Sequence, residues 1–526
     1  MRLQRFAFFL IFAASLVPIA AAQTSITTYH YDNNRTGWNS KETTLTPATV
    51  GGGSFGLLQN VALNGQVDAQ PLVIPGVNIT AGSAPGVHDV VYVVTSTNYV
   101  YAIDVHSGAI LLSPNFGTPV TKPLGCNNNA NTVGISSTPV IDTTTSTMYV
   151  MVYSQASSGP VYNLHALDLG SLKNKKTPQL VTASHTLSDG TTFNFNATVQ
   201  RQRPGLLLAG GNVYAGFGSF CDYATNLSRG WLLGWSASTL APLAANQLTN
   251  SIATSPNSFF LSSIWMSGYA PSVDDSGNIL FVTGNSDYSG TTYNGVTNIQ
   301  ESVVKVNPSL SQVLDLFTPS NQATLDAIDG DFGSGGVLVL PDQTGTYPHL
   351  AVAAGKNGSM FLMNEDSLGG YSTTTNNVLG TYSVGRCWCG PSYFVGPEGH
   401  AVIVASGGNQ VTLWALATSP TTALKLSGTS PAITGGQNPG FFTSVSSNGS
   451  ATPIVWALSH PASASSTSIS LYAFNPLNSM AQIYQSVAGS WPNYNGNSNL
   501  VPVVANGLVF VGSREQLQIF GIISAN

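Results

Sequence analysis

One pattern recurs along the whole chain and limits what it can fold into. A strand, a Gly/Asn/Asp turn, an apolar strand, a short polar turn and a strand ending near Asp or Asn follow one another in fixed order. The last of these strands is the easiest to follow. It appears as Tyr99-Val-Tyr-Ala-Ile-Asp104, Tyr162-Asn-Leu-His-Ala-Leu-Asp168, Gly230-Trp-Leu-Leu-Gly-Trp235 and Ser302-Val-Val-Lys-Val-Asn307. It returns as Met360-Phe-Leu-Met-Asn364, Val411-Thr-Leu-Trp-Ala-Leu416, Ile469-Ser-Leu-Tyr-Ala-Phe-Asn475 and Leu517-Gln-Ile-Phe520. These copies lie about 50 to 70 residues apart, a spacing that suits four short strands and their loops. The strand before it keeps step, from Val90 to Ser96 in the first unit to Leu508 to Gly512 in the last. The first strand of a unit is clearest in Gln70-Pro-Leu-Val-Ile74, Ser137-Thr-Pro-Val-Ile141 and Val501-Pro-Val-Val504.

A four-stranded antiparallel unit cannot bury both of its faces alone. Radial stacking buries them and leaves only short edges. The expected fold is therefore all-β: an eight-bladed β-propeller with four antiparallel strands per blade. The final unit lacks a fourth strand, and Phe55 to Leu63 precedes the first full unit. The ring is expected to close by pairing these N- and C-terminal strands. A β-helix is the main competitor, but its repeats are much shorter.

Composition agrees with one large repeat domain. Of 526 residues, 43% are hydrophobic and only 7% charged, which gives ample core and disfavours long amphipathic helices. The net charge of −6, with no basic run longer than Lys173-Asn174-Lys175-Lys176, argues against nucleic acid as a partner. Residues 1–22 read as a signal peptide: Arg2 and Arg5, an apolar stretch from Phe6 to Ile19, then Ala20-Ala21-Ala22. Residues 23–53 are expected to form an N-terminal extension, and 54–526 a single propeller. No membrane span is expected after cleavage. The chain is expected to be an exported monomer, periplasmic or extracellular.

Four cysteines, Cys126, Cys221, Cys387 and Cys389, suit disulfides in an exported chain, with three possible connectivities. Cys126 with Cys221 is the preferred pair, because both fall in neighbouring units on one face. Its Cα separation should then lie below about 7 Å. The set does not have zinc-site spacing.

Strand alternation places the link entering each unit, and the turn between its second and third strands, on one face of a propeller. Cys126, Arg203, Trp265, Arg386, Cys387, Trp388 and Cys389 fall on such links. Asp222, Asn285, Lys356 and Arg514 fall in such turns. A site at the mouth of the central channel on that face is expected. Taken singly, Trp265 reads equally well as blade packing, Asp222 and Asn285 as turn caps, and Lys356 as a solvated hairpin tip. No nucleophile elbow, Rossmann or phosphate-binding loop stands in context. Asp329 and Asp331 could suggest a glycosidase pair.

Tyr101-Ala-Ile-Asp-Val-His-Ser-Gly108 resembles the Ala-Leu-Asp-x-x-Thr-Gly ending of the repeat of pyrroloquinoline quinone (PQQ) propellers. Tyr31-Asp-Asn-Asn-Arg-Thr-Gly37, Gly134 to Asp142, Gln202-Arg-Pro204, Asp331-Phe-Gly-Ser-Gly-Gly-Val337, Ala354-Gly-Lys-Asn-Gly358 and Cys387-Trp-Cys-Gly-Pro-Ser-Tyr393 extend the likeness. The chain resembles exported bacterial PQQ-like propeller proteins of the quinoprotein alcohol dehydrogenase superfamily. That resemblance implies a quinone stacked on Trp265, approached by Lys356 and with Arg203 near it. It also implies Ca²⁺ held by Asp222 and Asn285, Asp being one methylene shorter than the family's Glu. Two departures stand against catalysis. The family's adjacent cysteine pair is reduced to Cys126. Its catalytic Asp, in a Gly-Asp-Asn segment, is matched to Gly295-Val-Thr297-Asn298, with Glu301 four residues beyond Thr297 and pointing elsewhere. A missing base forfeits about a hundredfold or more in rate. The expectation is a non-catalytic propeller that binds a small molecule or an exported protein partner at its channel face. It fixes no catalytic residue and no cofactor. A PQQ- and Ca²⁺-dependent dehydrogenase is the alternative.

Overall fold

The computed structural model describes residues 23–126, 130–254, 259–289, 292–386, 388, 390–433, 440–461, 463, 465–492 and 500–523. The signal-like residues 1–22, and Cys387 and Cys389, lie outside them. Eight small antiparallel sheets form the ring expected from the repeats. They comprise blade 1 (72–112), blade 2 (140–180), blade 3 (200–248), blade 4 (272–318), blade 5 (337–383), blade 6 (392–429), blade 7 (442–490) and blade 8.

Blade 8 closes the circle. Its C-terminal strands Val503–Ala505 and Leu508–Ile522 pair with the N-terminal strand Phe55–Gln66, in the register Phe55 with Ile522, Leu57 with Phe520 and Val61 with Leu517. Leu508–Ile522 holds both strands expected there and is broken by Glu515, whose φ is 58°.

The strand pattern follows from position in the stack. Second and third strands are covered on both faces by neighbouring blades, so Val90 to Val94 and Tyr101 to Ile103 are unbroken buried runs. Outer strands such as Ala423–Thr429 are largely open to solvent. The apolar clusters bridge blades: Tyr153 and Tyr162 of blade 2 pack with Phe217 and Trp231 of blade 3. Trp456 of blade 7 packs with Val504 and Phe520 of blade 8.

The N-terminal extension is no appendage. From Ile26 to Asn39 it runs around the axis and bonds to the first strand of every blade in turn. Its backbone carbonyls accept from Val73 at Ile26 (3.0 Å), Ile141 at Thr27 (2.8 Å), Val273 at Asn33 (3.0 Å) and Val339 at Asn34 (3.0 Å). The carbonyls of Thr36 and Gly37 accept from Tyr393 (2.7 Å) and Val445 (2.8 Å). Blade 3 is met through Asn33 Nδ2 to the Leu208 carbonyl (2.9 Å), and blade 8 through Asn39 Nδ2 to the Val504 carbonyl (3.0 Å). First strands therefore line the axis, and this collar occupies it.

Arg35 locks the collar. It is fully buried and donates to the Pro271 carbonyl from Nε (2.9 Å) and Nη2 (2.7 Å), and from Nη1 to Thr28 Oγ1 (2.8 Å) and the carbonyls of Tyr29 and Asp32. Tyr29, His30 and Tyr269 pack their rings together above it, with centroids 4.6–5.1 Å apart. The collar begins and ends at first-to-second-strand turns: Thr24 bonds Asn506, and Glu42 accepts from Gly507. It thus plugs the face opposite the one expected to hold the site.

Candidate functional site

At the other end of the axis a cavity of about 250 Å³ remains. The links into blades 4, 5 and 6 bring Trp265, Asp329, Asp331 and Trp388 to it. The second-to-third-strand turns of blades 3 and 5 bring Cys221, Asp222 and Lys356. Arg201, Arg203 and Ser219 of blade 3 complete the lining. Residues more than 150 positions apart in sequence meet here only because the chain closes into a ring. A larger open cleft of about 790 Å³ lies off the axis, between blades 3 and 4, and carries no Asp, Glu, Lys or Arg in its lining.

Of the residues singled out in the sequence, Arg203, Cys221, Asp222, Trp265, Asp329, Asp331, Lys356 and Trp388 share this cavity. Asn285 does not line it; its backbone N–H donates to Asp331 Oδ1 at 3.2 Å. Arg514 stands away, beside Glu515. Cys126 and Cys221 are joined, with Cα atoms 5.6 Å apart, so the disulfide ties the link before blade 2 to a turn of blade 3 at the cavity wall.

The cations sit on the aromatic rings. The Arg203 guanidinium lies 5.6 Å from the Trp265 ring centre, and Lys356 Nζ lies 5.4 Å from that of Trp388. The two indoles meet edge to face, 6.0 Å apart at 85°. The Trp388 indole N–H is buried without an acceptor, a donor left unspent at the wall. Lys356 is itself buried and pairs with Asp329 (2.7 Å) and Asp331 (3.4 Å), which settles it as an inward-pointing residue and not a hairpin tip in water. Asp222 accepts from the Ser219 hydroxyl.

One sequence-based reading needs correction. Thr297 does not stand in the cavity; it is held by Asn294, whose Oδ1 accepts its N–H at 2.7 Å. The carboxyls that reach the cavity beside Lys356 belong to Asp329 and Asp331. Glu301 does not line the cavity: it is fully buried, and its Oε2 accepts from the Phe332 N–H at 2.5 Å, bracing the turn that carries Asp331. A Gly330-Asp331 step at the head of a blade link was the signal for this residue.

Burial pushes Asp331 up to about 8, with Lys356 opposing the rise and the charges of Asp329 and Asp222 adding to it. Glu301 is raised well above the carboxylate range by burial and by Asp331 and Asp326. Burial raises Asp222, with Asp329 adding to the effect. Burial and the neighbouring Arg201 lower Arg203 to about 9.

Calcium requires about six to eight oxygens at ~2.3–2.6 Å. Among the described residues no three Asp, Glu, His or Cys side chains are grouped closely enough to hold a metal ion. The Lys356 ammonium already stands between Asp329 and Asp331, and Asn285 offers the cavity no side-chain lining. As arranged, these residues do not fit a Ca²⁺ ion.

The fold is that of the quinoprotein alcohol dehydrogenases. The quinohemoprotein alcohol dehydrogenase of Comamonas testosteroni superposes with a TM-score of 0.62 at 13% identity, covering 96% of this chain and 82% of that one. The quinohemoprotein alcohol dehydrogenase ADHIIG of Pseudomonas putida HK5 gives 0.60 at 12%, covering 96% and 81%. A europium-containing methanol dehydrogenase gives 0.58 at 10%, covering 95% and 98%. At such identities the likeness speaks for the fold alone. No protein family matches the chain by sequence, and no curated protein does. No helix among the described residues is long and apolar enough to cross a membrane.

Proposed function

We propose that this chain is an exported, quinoprotein-like propeller that binds a small organic anion at the channel mouth, without a metal ion and without catalysing dehydrogenation. The observation that carries this reading is the pair of cations facing one small cavity, Arg203 over Trp265 and Lys356 over Trp388. Acceptor oxygens of an anion satisfy both, while indole rings favour a ligand with an aromatic face. The Lys356 pairing with Asp329 and Asp331 balances the site's acidic charge with no metal. Export is supported by the signal-like residues 1–22 and by a disulfide closing 95 residues, since such bonds persist in oxidising compartments.

A dehydrogenase reading draws on one observation. Asp331, raised to about 8 and beside Lys356, is a carboxyl able to accept a proton at mildly alkaline pH. The two readings part in one experiment. Purified protein is mixed with PQQ, a flat tricarboxylate, with and without Ca²⁺, and then with primary alcohols. The binding reading expects a shifted quinone absorption band with no need of Ca²⁺ and no alcohol oxidation. Turnover that requires Ca²⁺ and is lost in Asp331→Asn establishes the dehydrogenase instead.

A further inference from the structure

Trp265 and Trp388 stand on different links, before blades 4 and 6, and no strand pairing joins those blades. Besides the contact of the indoles themselves, Tyr269 connects the two links. The Tyr269 hydroxyl lies 3.0 Å from the Arg35 carbonyl in the collar and 3.2 Å from the Pro391 carbonyl, three residues beyond Trp388. Its ring is fully buried and fills the gap between Gly336 and Gly390: a Cβ on either glycine would lie 1.9 Å or 2.0 Å from a ring atom.

On its own link Tyr269 follows Trp265 through a tight turn. Tyr269 N–H donates to the Met266 carbonyl at 2.7 Å. Met266 and Ser267 are held at φ of 37° and 47°, a left-handed conformation that non-glycine residues adopt only where their surroundings impose it. A ring wedged between two glycines, and a hydroxyl shared between two carbonyls, supply that constraint. A shift of Tyr269 therefore moves the Trp265 turn directly and releases Gly390, two residues from Trp388.

We propose that Tyr269 is the positioning residue for the two tryptophan walls of the cavity, and that the collar acts on the ligand site through the Arg35 carbonyl. This rests on the cavity being the ligand site. Tyr269 touches no ligand; it fixes the edge-to-face setting of Trp265 and Trp388, and with it the placing of Arg203 and Lys356 over their rings.

The test uses the full mature chain with Tyr269→Phe, which keeps the ring and removes the hydroxyl, and Tyr92→Phe as a control. Tyr92 is an equally buried tyrosine whose hydroxyl bonds the Leu169 carbonyl at 2.8 Å, in blade 1. Both variants should lose a similar few degrees of Tm, since each leaves buried carbonyl groups short of a donor. Only Tyr269→Phe should weaken PQQ binding, by about fivefold or more, and only its crystal structure should show the indoles displaced from 6.0 Å and 85°. Unchanged indole geometry together with unchanged affinity overturns the proposal, as does an equal loss of affinity in the control. If the wild type does not bind PQQ, the cavity reading falls, and indole geometry in the variant alone decides the role of Tyr269.

Discussion

The Lys356 ammonium lies 2.7 Å from the Asp329 carboxylate, which is two-thirds exposed at the cavity rim. An ion pair with one partner in water contributes little to stability, about 1 kcal/mol or less. Its effect falls on the site instead, because Asp329 competes with an incoming anion for Lys356. Asp329→Asn should leave Tm within a few degrees of wild type and raise PQQ affinity severalfold. Fluorescence titration measures it; an affinity that falls removes Lys356 from the anion site.

Arg35 holds the collar through bonds to the Pro271 and Tyr29 carbonyls and the Thr28 hydroxyl, all buried, and to the half-buried Asp32 carbonyl. Replacing it strips a charged donor from several buried acceptors, at roughly 3 kcal/mol or more. Arg35→Ala should therefore lower Tm well beyond the change from a surface Arg514→Ala. Hydrogen exchange should quicken at first-strand amides such as Val273, Val339, Tyr393 and Val445 together, because one segment accepts from all of them. Exchange that quickens only near Pro271 contradicts a continuous collar.

The Cys126–Cys221 bond closes a loop of 95 residues and crosses between blades. Cys221→Ser should cost about 2–5 kcal/mol, seen as a lower denaturation midpoint. It should also loosen the Cys221–Asp222 turn, where both residues hold φ above 50°. Chymotryptic nicking after Tyr223, which is exposed beside the turn, should then increase in the variant over the wild type.

How much of this could be read from the sequence depends on where each bond comes from. Blade strands announce themselves, because second and third strands such as Val90 to Val94 must be apolar on both faces. Closure was legible from the unpaired Phe55 to Leu63. Arg203, Asp222, Trp265 and Lys356 could be grouped because strand direction alone assigns a link or turn to a face. The collar was not legible: it grips six blades through backbone carbonyls, which leave no side-chain pattern. Asp331 stands out in the sequence only as a carboxylate beside Asp329, because their link, with Asp329 at a φ of 54°, is irregular and gives no strand pattern to set its direction. Tyr269 reads as one aromatic among many until the ring places glycines on both of its faces.

Stability should fall as pH rises from about 4 to 8. Burial is the leading cause in each of Asp326 (raised to about 7), Glu365 (about 7) and Asp331 (about 8), and it also raises Glu301 well above the carboxylate range. The folded state then holds these protons after the unfolded chain has released them near pH 4, so each pH step upward favours unfolding. Below that window the order reverses, since Asp104 is lowered to about 2 by hydrogen bonds from His88 and Ser107 that outweigh its partial burial. Denaturation midpoints should peak near pH 4–5, and Asp326→Asn should flatten the fall toward pH 8. A midpoint that climbs steadily to pH 8 opposes this assignment.

The central claim is that the channel-mouth cavity binds an organic anion without a metal. The most direct measurement is calorimetric titration of PQQ into the mature protein in excess EDTA, repeated with Arg203→Ala and Lys356→Ala. The account predicts saturable binding of one PQQ per chain in EDTA, weakened about tenfold or more in each variant, since a charge-assisted bond is worth ~1.5–3 kcal/mol. No binding in EDTA and tight binding once Ca²⁺ is restored would contradict it, and would return the site to the metal-dependent reading.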